Sequence, residues 1–157
     1  MKTIKTIGYA GHDQDSFLQC LLANDVEILV DVRQRAGSRK PAFNKSRLIE
    51  LTGANGIQYQ HYPRLGTPAE LRKKLKTATI TREAYMAAYR AHLDDQGYQI
   101  AALTELAMGA RCCLMCLEKD PAECHRSILA DVLVEWIGGA VDVEHIVGAD
   151  RVGRGRK

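Results

Sequence analysis

The sequence predicts an α/β fold: a single three-layer domain with a mostly parallel sheet of about five strands and helices on both faces. Three observations predict it. Short apolar runs alternate with segments of helical periodicity along the chain, as strand–helix–strand units require. The run Ile28-Leu29-Val30-Asp31-Val32 is apolar at both parities, as a strand covered on both faces must be. Asp120-Pro121-Ala122-Glu123 follows the apolar run Cys112 to Leu117 with a capping aspartate, a proline at the first helical position and a glutamate at the third.

Each element has its own signal. Thr3 to Ile7 reads as the first strand, and the loop Gly8-Tyr9-Ala10-Gly11 separates it from Phe17, Leu18, Leu21 and Leu22, which recur at helical spacing. Ile28 to Val32 is the second strand. A helix is predicted from Lys45 to about Ala54, ended by Gly56, and Ile57-Gln58-Tyr59-Gln60-His61 alternates as a third strand. The segment from Pro63 to Lys76 reads as a basic loop. Tyr85, Ala88, Tyr89 and His92 mark one helix, and Gly97 separates it from another marked by Ile100, Leu103 and Leu106. Cys112 to Leu117 is the fourth strand. The last helix is expected to start at Pro121, to bury a stripe of Ile128, Leu129, Val132, Leu133 and Trp136, and to stop at Gly138-Gly139, with Val141 to Val147 as the fifth strand.

Length and composition fit this outline. The 157 residues suit one domain over 1–150 followed by a basic tail over 151–157. With 46% apolar and 26% charged residues the chain is ordinary for a globular protein. No apolar run is long enough to cross a bilayer, and Lys2 and Lys5 fall where a signal peptide needs its apolar stretch, so a cytoplasmic location and no membrane partner are expected. Five cysteines, an odd number, read as free thiols in a reducing compartment.

In open parallel sheets, ligands sit outside the carboxyl ends of the strands. That rule selects Asp31 to Ser38 and Cys116 to Arg126. Helical spacing places His125 in the apolar stripe of the last helix, facing the sheet, with Cys124 and Arg126 to either side. A thiol beside a helix N-terminus, a histidine and an arginine is where a cysteine pKa falls, and the thiolate is the nucleophile. Cys116 is the first candidate nucleophile and Cys124 the second, with Glu118 and His125 as acid or base. Arg33 and Arg126 offer bidentate forks to an anion, and Arg39, Asn44 and Asp31 complete the candidate binding set. Plainer roles exist for all of them: buried cysteine often only packs, and an aspartate ending a strand often caps backbone amides.

Charge is unevenly distributed. Arg33, Arg35, Arg39, Lys40, Lys45 and Arg47 form one acid-free group, Arg64, Arg72, Lys73, Lys74 and Lys76 a second with only Glu70 opposing, and Arg151, Arg154, Arg156 and Lys157 close the chain. Fifteen of the 22 basic residues thus lie in three segments, which suits phosphate and makes a nucleotide or nucleic acid a candidate partner. Solvated loops are the alternative reading. No metal and no cofactor are expected. Cys113 and Cys116 should project to opposite faces of their strand, which breaks a zinc quartet with Cys124 and His125. A phosphatase loop needs arginine where Ala122 stands, and no glycine-rich nucleotide loop is present.

The order Thr6-Ile7-Gly8, Val30-Asp31-Val32-Arg33, Ser38-Arg39, Phe43-Asn44, Gly56-Ile57-x-Tyr59-x-His61, Leu65-Gly66 and Met115-Cys116-x-Glu118-Lys119-Asp120-Pro121-x-x-Cys124-His125-Arg126 resembles the domain-of-unknown-function family numbered 488 over nearly the whole chain. The resemblance implies a compact bacterial or archaeal α/β domain with those residues as its signature, and it implies no reaction. The chain departs from the pattern after the first strand, where Gly8 precedes Tyr9 and Ala10 instead of histidine and serine, leaving His12 as the nearest histidine. A weaker similarity is to rhodanese-like domains, whose cysteine loop is shorter and glycine-rich. Two function classes follow: a cysteine-dependent enzyme on a phosphate-bearing substrate, or a nucleic-acid-binding or regulatory module that tolerates loss of Cys116. Rhodanese-like sulfur transfer is secondary.

Overall fold

The structure, a computed structural model, describes residues 2–118, 120 and 124–147. Its five strands, β1 (Lys2–Gly8), β2 (Ile28–Asp31), β3 (Gln58–His61), β4 (Cys112–Cys116) and β5 (Val141–Ile146), form one sheet in the order β3-β2-β4-β1-β5. Every pairing is parallel. Parallel neighbours need crossovers, and the helices supply them: α1 (Gln14–Ala23), α2 (Lys45–Gly53), α3 (Ala69–Lys76), α4 (Arg82–Asp94), α5 (Gly97–Gly109) and α6 (His125–Ile137). The α/β class and the three layers follow from this arrangement.

Side-chain alternation sorts the sheet into two cores. Ile4, Ile28, Val30, Cys112, Leu114 and Cys116 pack with Tyr89 and Leu93 of α4, Ile100 and Leu103 of α5, and Leu129 and Leu133 of α6. Ile7, Leu29, Cys113 and Met115 pack on the opposite face with Phe17 and Leu21 of α1, Leu48 of α2 and Phe43. Cys116 therefore faces α6 while Cys113 faces away, as strand periodicity requires.

Caps and close approaches fix where the elements start and stop. Asp13 and Ser16 form a capping box that opens α1, and Thr81 caps α4 through Ala84 N–H. Gly138, left-handed at φ 99°, ends α6 as its position in the sequence predicts. A Cβ at Gly66 would lie 2.2 Å from Gln34 N, so only glycine lets those two loops cross.

Four expectations need correction. The stretch after Pro68 is helix α3 rather than loop: Ala-Glu-Leu-Arg-Lys-Lys-Leu-Lys consists of strong helix formers, and its charge density had masked that propensity. Helix α6 begins at His125, because Cys124 is extended (φ −123°, ψ 144°) and stands as its N-cap; the expected start at Pro121 lies outside the described residues, as does the basic tail. Trp136 is 52% exposed, at the end of α6 beyond the sheet's cover. Cys116 and Cys124 are not free thiols but a disulfide.

Candidate functional site

The site is built where β1, β2 and β4 end in register. Gly8 is opposite Cys116, and Asp31 is opposite Met115 on one side and His61 on the other. Beyond the strands the chain keeps pairing: Tyr9 N–H donates to Cys116 O at 3.0 Å, Ala10 N–H to Leu117 O at 2.9 Å and Val32 N–H to Met115 O at 3.1 Å. The sheet therefore delivers three loops to one place, over which α6 points its N-terminus.

Gly8 permits the closest of these approaches. A Cβ there would fall 1.7 Å from Glu118 O and 3.0 Å from Arg126 Nη1. Through this gap Arg126, wholly buried, donates from Nη1 to Glu118 O at 2.5 Å and lies 3.4 Å from Cys116 Sγ, while its Nε donates to Thr6 Oγ1 at 3.0 Å. Thr6 Oγ1 in turn is hydrogen-bonded to His145 Nδ1 at 2.6 Å. Burial pulls the Arg126 pKa below its ordinary value, against the opposing pull of Cys113, Glu118 and Asp120.

His125 faces the sheet, as helical spacing predicts. Its Nε2 lies 2.9 Å from Val32 O, and Tyr89 packs edge-on against its ring at 5.1 Å. A carbonyl oxygen only accepts, so Nε2 carries the hydrogen and Nδ1 keeps its lone pair. That lone pair is 3.8 Å from Cys124 Sγ. Burial pushes the ring's pKa down to about 4, partly offset by the bond to Val32, so the imidazole is neutral. The sulfurs of Cys116 and Cys124 are bonded to each other, and these two and a His125 ring nitrogen lie within 4.8 Å of one another. Glu118 Oε1 is 3.9 Å from Cys116 Sγ.

The second group adjoins the first through Val32. Arg33 clasps Asp31 with Nε on Oδ1 at 2.8 Å and Nη2 on Oδ2 at 2.7 Å, and Tyr59 donates its hydroxyl to Oδ2 as well. Burial works against the Arg33 charge, but the bonds and charge of Asp31 outweigh it and hold its pKa above the ordinary value. His61 Nε2 lies 2.7 Å from Arg33 O. The outer Nη1 of Arg33 reaches only long contacts, to Gly37 O at 3.4 Å and Tyr9 OH at 3.5 Å, and it borders a cleft.

That cleft, about 480 Å³, joins the two groups: Cys116, Glu118 and His125 line it together with Arg33, Arg35, Arg72, Lys76 and Arg82. A smaller cavity of about 270 Å³ lies at the strands' amino ends, bordered by Lys2, Lys5 and Arg111, away from the nucleophilic residues. Of the residues selected from sequence, the structure brings together Cys116, Glu118, Cys124, His125 and Arg126, with Asp31 and Arg33 beside them. Arg39 is exposed and does not line the cleft. Asn44 instead accepts from Ser38 N–H at 2.7 Å and so holds the basic loop in place. His12 is buried against Phe17, 3.0 Å from Ser16 Oγ, and is not a lining residue. Arg72 and Lys76 of α3 and Arg82 and Tyr85 of α4 also line the cleft and are not among the residues selected from sequence; the four cations of α3, close together in the chain, are the signal that points to this wall.

Residues 13–133 match the family model described as domain of unknown function DUF488. No curated protein and no solved structure matches the chain.

Proposed function

On the premise that the chain belongs to the DUF488 family, we propose that it is a cysteine-dependent enzyme acting on an anionic, phosphate-bearing substrate such as a nucleotide or a nucleic-acid strand. The observation that carries this reading is one cleft whose described lining holds Cys116 and His125 together with five cationic side chains and, in Glu118, one carboxylate. Its volume of about 480 Å³ is in the range of small-molecule sites, and its position outside the strand ends is where open parallel sheets bind ligands. Arg35 from the loop after β2, Arg72 and Lys76 from α3 and Arg82 from α4 converge on this one cleft, which concentrates positive charge beside Cys116.

The working form is the dithiol. Two electrons and two protons from a dithiol reductant open the Cys116–Cys124 bond, and the reductant becomes a disulfide. The released Cys116 sulfur then has the Arg126 guanidinium at 3.4 Å, which favours its thiolate, while the Cys124 thiol is 3.8 Å from the His125 lone pair, to which it can donate a hydrogen bond.

The test is ligand binding and turnover by the reduced protein. Affinity for nucleotides and oligonucleotides falls steeply from low to moderate salt, and Arg72→Gln with Arg82→Gln flattens that slope. Cys116→Ser retains binding and loses turnover. Turnover that survives Cys116→Ser, or binding indifferent to salt, sinks the proposal; salt-dependent binding with no turnover by the reduced parent protein leaves a non-catalytic nucleic-acid-binding module.

A further inference from the structure

The three buried donors at the end of β4 have a use beyond nucleophilic attack. We propose that the reduced centre is a binding site for a thiophilic divalent cation, zinc by its donor set, held by Cys116 Sγ, Cys124 Sγ and His125 Nδ1 with its fourth position open to the cleft. The proposal rests on reading this cluster as the reaction centre, and it makes the thiolates ligands rather than nucleophiles.

Four features of the geometry carry it. First, the donor atoms already converge. A tetrahedral zinc with about 2.3 Å to sulfur and about 2.0 Å to nitrogen sets its ligand atoms roughly 3.5 to 3.8 Å apart. Here Cys124 Sγ and His125 Nδ1 are 3.8 Å apart and all three donors lie within 4.8 Å.

Second, the histidine is prepared as a ligand. Metal-bound imidazoles usually donate their remote N–H to a carbonyl or carboxylate, which fixes the tautomer and aims the other nitrogen at the ion. The bond from His125 Nε2 to Val32 O does this and leaves Nδ1 beside the sulfurs.

Third, the backbone keeps the cysteines well apart. Their Cα atoms, one at the end of β4 and one at the N-cap of α6, are separated by 7.3 Å, a span that two thiolates on one ion also bridge. β4 and the N-cap of α6 hold these positions independently.

Fourth, the surroundings suit a bound thiolate and a reactive fourth site. Arg126 Nη1 is placed to donate to Cys116 Sγ. Glu118, 3.9 Å from that sulfur, stands on the cleft wall, where its carboxylate can take a proton from a water on the ion. Three protein ligands and one open position characterise a catalytic rather than a structural zinc. Cys113 faces the opposite core and has no part in the site. Loading is balanced: the reduced thiols lose two protons as the ion binds.

Titrating reduced, metal-free protein with cobalt(II) in the absence of oxygen tests the site. The expected result is a one-to-one spectrum of tetrahedral, thiolate-ligated cobalt, bleached by one equivalent of zinc. His125→Ala and Cys124→Ala abolish it, and Cys113→Ala leaves it unchanged. Zinc also protects Cys116, the cysteine that lines the cleft, from alkylation in the wild-type protein, a readout that does not depend on the folding of any variant. Absence of a saturable cobalt spectrum and of zinc protection in the wild-type dithiol overturns the proposal. If cobalt fails to bind while reduced, metal-free protein turns over and Cys116→Ser does not, the metal site falls and the thiolate enzyme stands. If cobalt binds and no anion does, the metal site stands and the anionic-substrate reading falls.

Discussion

Asp31 and Arg33, two residues apart at the end of β2, hold each other through two parallel hydrogen bonds of 2.8 and 2.7 Å with both side chains buried. Arg33 also accepts strand-end duty through its backbone, donating N–H to Asp31 Oδ1 and offering its carbonyl to His61. The pair thus fixes the path of the basic loop as it leaves the sheet.

Removing one member leaves the other charge buried. Arg33→Met is expected to cost about 3 to 5 kcal/mol, and Arg33→Lys most of that, since one ammonium cannot supply the two-pronged geometry. The Asp31→Leu, Arg33→Met double variant recovers part of the loss. Urea midpoints measure all three; a single variant as stable as the parent contradicts the role assigned to the pair.

Gly8→Ala places a methyl group on the Glu118 carbonyl. We expect a loss of about 1 to 3 kcal/mol as the loop after β4 is displaced. Because Arg126 Nη1 bonds that same carbonyl, turnover falls more than stability alone accounts for. Comparing activity and thermal unfolding in one preparation separates the two effects.

The remaining cysteines give an alkaline signature. Burial pushes Cys112 up to about 11 from the ordinary 9.0, and raises Cys20 and Cys113 too. The unfolded chain then loses its thiol protons first, the folded chain binds more protons, and stability falls as pH rises. For Cys112 the fall runs from 9.0 to about 11 and amounts to roughly 2 kcal/mol. Denaturation midpoints across that window should decline, less so in Cys112→Ala. At neutral pH after reduction, iodoacetamide should label Cys116, which lines the cleft, and spare Cys20, Cys112 and Cys113, as peptide mass spectrometry can determine.

Asn44→Ala removes the acceptor of the Ser38 N–H. The expected cost is about 1 kcal/mol, seen as roughly fivefold faster hydrogen exchange at the Ser38 amide. Asn44→Asp keeps the acceptor and preserves the protection. An unchanged exchange rate in Asn44→Ala shows that other contacts hold this loop.

The sheet was legible because buried parallel strands have little compositional freedom: Ile28 to Val32 and Cys112 to Cys116 announce themselves by apolar side chains at both parities. Helical spacing also located His125, since facing the sheet is a local property of α6. What depended on distant partners was not readable. Cys124 meets Cys116 only because the N-cap of α6 stands at the end of β4, and Tyr59 reaches Asp31 only through the β2–β3 register. Charge misled in both directions: it disguised α3 as a loop, and it nominated Arg39, which stands in solvent outside the cleft.

The strand order also sets a timetable for synthesis. β1 sits between β4 and β5, with Lys5 opposite Cys113 and Lys2 opposite Val141. The ribosome therefore releases this strand long before either of its neighbours exists. Until Val141–Ile146 has emerged, the nascent chain carries a β-strand with an open edge, and Thr6 waits for Arg126 to arrive. Closure of the sheet on both sides of β1 therefore waits for β5, which follows every residue of the site in the chain.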